Sequence, residues 1–251
     1  MIAALKSEFR KLLTVRSTYF IVLITLGIVA LFAGFGNGYQ ADPQHLSNPG
    51  LLVSESANGI LFVGIILALV GLLLLAHEYR YNTILYTITS SNSRAKSLLA
   101  KIIAVTVFAV IASVMVTFFS PLCTIIGTHL AGKHMVAQTF PVWHVLWQCL
   151  CVGLGYAMYA FIITAIVRSQ VGAIVTFLLV PLIGEHIIMA IFSSSYKYLP
   201  FNNLQAVVNS DLLRGEATSK ISTAHSVATA GIYIVVGLVV SFILFARRDA
   251  N

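Results

Sequence analysis

Six stretches of the chain are apolar for long enough to cross a lipid bilayer as helices, and most polar residues lie in the segments between them. The stretches run approximately over residues 18–36, 57–76, 102–126, 145–167, 171–192 and 228–246. Each reaches or exceeds the roughly 18 residues that a helix needs to span hydrocarbon. The pattern predicts an all-α membrane protein with six transmembrane helices, in a single transmembrane domain over residues 1–251.

Composition supports this fold class, and the distribution of charge predicts its orientation. Charged residues make up only 9% of the chain, and the mean hydropathy is +0.93. Eleven of the 15 lysines and arginines precede the first span, lie between spans 2 and 3 or 4 and 5, or follow the last span. The positive-inside rule then places both termini in the cytoplasm. The net charge of +7 is thus explained by topology, and we expect no nucleic-acid partner.

The residues before the first span have an amphipathic pattern. The apolar positions are Ile2, Leu5, Phe9, Leu12 and Leu13, and the cations on the other side are Lys6, Arg10 and Lys11. We predict an interfacial helix along the inner membrane surface, with its cations near anionic headgroups and Phe9 on the apolar side. The alternative is that this segment simply begins the first span, but the break at Arg16-Ser17 favours a separate helix.

The segment between spans 2 and 3 predicts a second helix outside the membrane. Residues 78–89 have a helical pattern, and a polar break follows at residues 90–92. Ser93 is then the expected N-cap of the helix that continues into span 3.

The longest loop, between spans 5 and 6, predicts an outer helix. An apolar stripe at helical spacing lies between Pro200 and Gly215, which are the expected start and stop residues. Its members are Phe201, Leu204, Val208 and Leu212. We interpret it as a helix resting on or dipping into the outer leaflet. A lid packed on the bundle is the alternative.

Three places in the sequence resemble one family. They are the opening run over residues 5–18, the series Glu78-Tyr79-Arg80, Thr83-Ile84, Ser93-Arg94 and Leu99-Ala100-Lys101, and Tyr198-Leu199-Pro200-Phe201-Asn202. In their order and placement they resemble ABC-2-type permeases, the membrane subunits of a class of bacterial ABC exporters. The sequence departs from that family at Asn82, where glycine is often found, and at Ser91-Asn92, where proline is common. These differences would alter the turn of the coupling segment.

The resemblance implies that energy comes from a separate nucleotide-binding ATPase subunit, which would bind ATP and Mg²⁺. The sequence itself contains no GxxxxGK[ST] phosphate loop, so we expect this chain to bind no cofactor. Family members combine two permease chains with two ATPase chains. The resemblance therefore implies a second permease chain, in a homodimer or a heterodimer, and contact with membrane lipid.

The resemblance further implies that the helix after span 2 inserts into a groove on the ATPase. The residues that we expect to couple the two subunits are Glu78, Tyr79, Arg80, Thr83, Tyr86 and Arg94. Glu78 would pair with a partner cation or fix a neighbouring basic residue. The tyrosines would anchor the contact, and the arginines would bind partner carboxylates or lipid phosphates. The alternative is that these charges only satisfy the positive-inside rule.

Glu185 and His186 form the only adjacent ionisable pair well inside a span. Placing an acid in lipid costs about 2.5–3.5 kcal/mol, so an intramembrane carboxylate is a functional candidate. The pair either lines a substrate pathway between two protomers or fixes helix packing after Pro181. We expect no metal site, because no second histidine is near in sequence and the other histidines match no compact motif.

The expected function is therefore the permease subunit of an ATP-driven exporter in the bacterial cytoplasmic membrane. Its cargo would be a lipid-like, peptide or drug-like amphiphile, and the chain would perform no covalent chemistry. An ion- or proton-coupled secondary transporter using Glu185 and His186 is the alternative, although such proteins usually carry several intramembrane charges. An intramembrane hydrolase ranks last, because the sequence has no HExxH motif, paired aspartates or intramembrane Ser/His pair.

Overall fold

The computed structural model describes residues 2–42, 46–47, 49–81, 94–134, 141–192, 195–209 and 221–247. Within these ranges the chain forms a helical bundle. The bounds of the principal helices are α1 Ile2–Thr14, α2 Arg16–Tyr39, α3 Pro49–Arg80, α4 Arg94–Leu130, α5 Val142–Val167, α6 Gln170–Ile191, α7 Pro200–Asn209 and α8 Thr223–Arg247. A 3₁₀ turn, Ser195–Tyr198, precedes α7.

The six predicted spans are confirmed: α2 to α6 and α8 are each long and apolar enough to cross a membrane. The helices extend beyond the apolar stretches from which they were predicted. In particular, α4 begins at Arg94, whereas the apolar stretch begins at residue 102. Lys101 is therefore inside a helix, two turns from its start. Residues 82–93, which contain most of the predicted coupling helix, lie outside the described residues.

The predicted N-terminal helix is a separate element. Val15 has an extended backbone, with φ −78° and ψ 118°, and so interrupts the chain between α1 and α2. Only Glu8 and Leu12 of α1 are buried. One narrow face of α1 therefore contacts the bundle, and that face includes a carboxylate.

The centre of the bundle is built on close contacts between α3, α4 and α5. A Cβ on Gly64 of α3 would lie 3.0 Å from Val152 Cγ1 of α5. Gly153 of α5 lies against Ser113 of α4, whose hydroxyl donates a hydrogen bond to the Cys149 carbonyl at 3.0 Å. Small residues at these positions let the helix backbones come close together. The resulting van der Waals packing holds the helices in lipid, where no hydrophobic force acts between them.

A second close contact joins α2 to α4 and involves three glycines. The last part of α2, Ala30–Tyr39, is π-helical. A Cβ on Gly38 would lie 2.6 Å from the Thr124 carbonyl oxygen, and a Cβ on Gly127 would overlap the Gly34 carbonyl. The two backbones thus meet directly, so the first span is held along its far half without large side chains.

The outer helix α7 packs into the bundle. Phe201, Leu204 and Val208 are each 2% exposed and belong to the main apolar core. A Cβ on Gly155 of α5 would overlap the Leu204 side chain, so the glycine makes room for the lid. Because the apolar stripe faces protein, α7 is a lid packed on the bundle and not a helix resting on the outer leaflet. Leu212 and Gly215 lie outside the described residues.

Candidate coupling site

Four elements bring charged side chains together at one end of the bundle. They are α1, the last turn of α3, the first turns of α4 and the turn between α5 and α6, and the end of α8 lies beside them. We call this the terminal end, because it holds both ends of the described chain. The opposite end, which holds α7, is called the far end.

The core of the terminal end is an ion cluster of two carboxylates and two ammonium groups. The Lys101 ammonium donates to Glu8 Oε1 at 2.9 Å and to Glu78 Oε1 at 2.5 Å. The Lys11 ammonium donates to the same two atoms, at 2.9 Å and 2.6 Å. Each carboxylate therefore accepts from both lysines, and the four formal charges cancel. Three helices that are distant in sequence meet in this one cluster.

Because the ion cluster is buried, its members depend on one another more strongly than the partners of a surface salt bridge do. Lys101 has no exposed surface, and Glu8 and Glu78 are 2% and 4% exposed. Removing an ion from water costs several kcal/mol, and only close, hydrogen-bonded partners offset that cost. If either acid were withdrawn, Lys101 would lose a partner while still buried. The cluster therefore fixes the position of α1 against α3 and α4.

Lys11 is the member of the cluster that reaches solvent, with 35% of its side chain exposed. Burial alone lowers the pKa of Lys11, but hydrogen bonding and charge from Glu78 and Glu8 together outweigh it and raise the pKa above its ordinary value. The raised pKa means that the contribution of Lys11 to stability is present at neutral pH and is lost only as pH rises through that value. The Lys11 side chain is therefore protonated under physiological conditions.

Each carboxylate of the cluster also has one oxygen without a hydrogen-bond partner. Among the described residues, Glu8 Oε2 and Glu78 Oε2 are buried and accept no hydrogen bond. Buried polar atoms are normally paired, and an exception calls for an explanation. Each carboxylate is therefore held in the cluster through one oxygen, Oε1, which both lysines share.

Weaker contacts extend the cluster to the remaining helices of the terminal end. Arg168, in the tight turn after α5, adopts the left-handed backbone region with φ 57°. Its Nη2 donates to the Leu244 carbonyl of α8 at 3.0 Å. Arg80 Nη1 lies 3.5 Å from Gln170 Oε1 of α6. The terminal ends of α3, α5, α6 and α8 are thus linked by arginine contacts.

The structure places the predicted coupling residues unequally. Glu78 lies in the ion cluster and fixes neighbouring basic residues, which is one of the two roles considered for it. Tyr79 is half-buried and packs against the apolar core beside the cluster. Arg80 is exposed. Thr83 and Tyr86 lie outside the described residues, and the same is true of the Arg94 side chain.

The predicted residues of the N-terminal helix also divide into two groups. Lys6 and Arg10 are exposed, as expected for contact with headgroups, whereas Phe9 packs against the bundle core. Lys11 joins the ion cluster instead of facing away from the protein. Sequence reasoning missed the roles of Glu8 and Lys101. The available signal was that Glu8 is the only acid before Asp42.

At the far end, Glu185 holds the start of α7. Its Oε1 accepts a hydrogen bond from the Phe201 amide at 2.8 Å, and its Oε2 accepts one from the Asn202 amide at 2.7 Å. These amides belong to the first turn of the helix, where backbone N–H groups lack partners and the helix dipole favours negative charge. The carboxylate, 3% exposed, therefore caps α7 from another helix.

His186 does not share this position. It is exposed on α6, whereas Glu185, the residue before it, is buried in the bundle. Besides the apolar packing of Leu204 and Val208, the lid makes aromatic contacts. Phe201 packs edge-on or tilted against Tyr156, Tyr159 and Phe177.

Comparison with known proteins identifies one family. Residues 4–185 match the family model described as ABC-2 family transporter protein. The match includes all four residues of the ion cluster and ends at Glu185, while α7 and α8 lie beyond it. Comparison with curated proteins gives no significant match.

We expect Lys101→Met to destabilise the protein by about 3–5 kcal/mol, because two buried carboxylates lose the buried one of their two shared partners. The measurement is the midpoint of thermal unfolding in detergent. Lys96→Met, on the same helix but at an exposed position, is the matched control and should leave the midpoint within about 1 °C, since exposed charges contribute little. Equal effects of the two variants would contradict the assigned burial.

We expect Glu185→Ala to release the first turn of α7, because two amides lose their acceptor, at a cost of about 1–2 kcal/mol. Hydrogen–deuterium exchange over residues 200–209 should become faster in this variant. His186→Ala, the adjacent substitution on the exposed surface, should leave that exchange unchanged. Protection that is retained in Glu185→Ala would show that the aromatic contacts alone hold the lid.

Proposed function

The chain belongs to the ABC-2 family of transporters, and from this premise we propose that it is the membrane-spanning permease subunit of an ATP-driven exporter. A separate ATPase subunit would bind ATP and Mg²⁺ and would supply the energy. The sequence contains no phosphate loop of its own, which supports this division of labour. The cargo would be an amphiphile, lipid-like, peptide or drug-like, and two permease chains would enclose its pathway.

The observation that carries the proposal is the buried ion cluster. The segment that would dock the ATPase, residues 82–93, follows α3 and precedes α4. Glu78 and Lys101 stand at the two ends of these helices nearest to the segment, and they are paired with each other and with α1. A displacement of the segment would therefore move α1, α3 and α4 together.

The charge distribution supports the orientation that this mechanism needs. Of the described lysines and arginines, Arg16, Arg80, Lys96 and Arg168 lie at the terminal end, along with the cations of α1 and the ion cluster. We infer that the terminal end faces the cytoplasm of a bacterial cell, where an ATPase subunit is accessible. Both termini would then be cytoplasmic.

Transport would follow from rigid-body movement of the coupled helices. Closing of the two ATPase subunits around ATP would push on the docked segments, and Thr83, Tyr86 and Arg94 are the proposed contacts. Because the ion cluster resists separation of its helices, the push would tilt the spans and would not deform a single helix end. The far end would then open around α7, whose start is tied to α6 by Glu185.

The proton-coupled alternative has less support. A relay needs a group that exchanges its proton with a neighbour during each cycle. Glu185 instead accepts two backbone hydrogen bonds, and His186 lies on another surface of the helix. We propose a structural role for Glu185 and assign no relay to the pair.

The proposal predicts that an ATPase subunit co-purifies with this chain from cells that express it natively, in mild detergent, and is identified by mass spectrometry. Arg94→Glu should abolish the contact by reversing the charge of the residue that directly follows the docking segment. Lys197→Glu makes the same charge change beside the far-end turn and should retain the ATPase.

Elution of each variant as a monodisperse species separates loss of docking from loss of folding. Failure of the wild-type chain to retain any ATPase in several detergents would overturn the assignment. Equal retention by both variants would overturn the docking contact but not the transporter assignment.

A further inference from the structure

An open groove of about 650 Å³ lies at the terminal end between two helical walls. One wall is formed by α1 and the start of α2, and the other is formed by the last three turns of α3. Its lining includes Lys11, Ser17 and Thr18 on the first wall and Val70, Leu73 and His77 on the second. The ion cluster forms part of the groove, but the groove has no role in the coupling described above.

The groove is polar at one end and apolar at the other. On α3, His77 and Tyr81 are followed deeper in the span by Leu74 and Val70, about 11 Å from His77 along the axis at 1.5 Å per residue. On α2, Ser17 and Thr18 at the start of the span give way to Ile21. Both walls therefore change from polar to apolar in the same direction, from the terminal end toward the bilayer centre. This gradient matches the head and the acyl chain of a membrane lipid.

The ion cluster at the polar end is neutral as a whole, but its exposed member and the exposed residues beside it are cations, which favours an anionic ligand. Within the cluster, Lys11 is the only member with substantial exposure, whereas both carboxylates are almost fully buried. Its ammonium carries three N–H donors, and two of them are directed to Glu8 and Glu78. Among the described residues the third has no acceptor, so it is available to a ligand in the groove. Lys6, Arg10 and Arg16 are exposed on the adjacent surface and add to the positive potential there.

We propose that this groove binds one anionic glycerophospholipid from the leaflet at the terminal end. The phosphate would accept hydrogen bonds from Lys11 and from the hydroxyl groups of Ser17 and Thr18. The acyl chain would lie along Ile21, Leu73 and Val70. The lipid would thereby brace α1 and α2 against α3 beside the ion cluster, so the stability of that contact would depend on the lipid composition of the membrane. This inference does not depend on the identity of the transported cargo.

The experiment uses a photo-crosslinking phenylalanine analogue at position 81, where an exposed tyrosine lines the groove. The full-length protein is reconstituted in vesicles of phosphatidylglycerol and phosphatidylcholine in equal amounts, with identical acyl chains. Lipid adducts are then identified by mass spectrometry. The matched control carries the analogue at Tyr19, which is 57% exposed on α2 outside the groove.

We expect the ratio of phosphatidylglycerol to phosphatidylcholine adducts to be about fivefold higher at position 81 than at position 19, as one lysine near a membrane surface contributes on that scale. Thr18→Glu places a negative charge at the head position and should remove the enrichment. Thr14→Glu adds the same charge to the neighbouring exposed surface, outside the groove, and should preserve it.

A second pair of variants tests the acyl part without a change of charge. Leu73→Phe narrows the groove and should reduce lipid adducts at position 81, whereas Leu23→Phe, on the exposed surface of α2, should not. Equal adduct ratios at positions 81 and 19 would overturn the proposal, since the groove would then hold only bulk lipid. Absence of lipid adducts at position 81, with adducts present at position 19, would also overturn it.

Discussion

A lysine ammonium with no exposed surface must be neutralised where it lies, and this constraint organises the terminal end of the protein. Lys101 is two turns inside α4 and is completely buried. The desolvation of its charge costs several kcal/mol unless acids contact it closely. Glu8 and Glu78 supply those contacts from α1 and α3. Apolar packing of Leu12 and Phe9 accompanies the ion pairs, so α1 is placed by charge as well as by the amphipathic burial that its sequence pattern predicts.

The same principle operates at the far end with a different donor. Glu185 is buried among apolar spans, and it is stabilised by two backbone amides at the start of α7. The partial positive charge of a helix N-terminus offsets the carboxylate there. Each of the buried acids among the described residues, Glu8, Glu78 and Glu185, thus joins one helix to another. Buried charge in this bundle specifies which helix ends stay together, while glycine contacts such as Gly34 to Gly127 set the distance between spans.

The six spans could be predicted from the sequence, since length and hydropathy determine which segments can cross a bilayer. The ion cluster could not be predicted from the sequence, because its lysines resemble the other basic residues that indicate topology. Nothing in the sequence distinguishes Lys101 from them. The apolar stripe of α7 predicted a helix but not its environment, as lipid and a protein core are equally apolar. Gly34 and Gly38 were missed because glycine is common in membrane helices. Which glycine meets a neighbouring backbone depends on packing between distant segments.

The ion cluster is proposed to transmit movement from the proposed ATPase-docking segment into the spans. The most direct test is a spin-label distance measurement between the two permease chains of the proposed complex, with labels at Leu130, which is 75% exposed at the far end of α4. The distance distribution is compared without nucleotide and with ATP trapped, in the wild type and in Lys101→Met. We expect a nucleotide-dependent shift in the wild type, and loss of that shift in the variant although the ATPase remains bound and hydrolyses ATP. An identical shift in both proteins would contradict the claim.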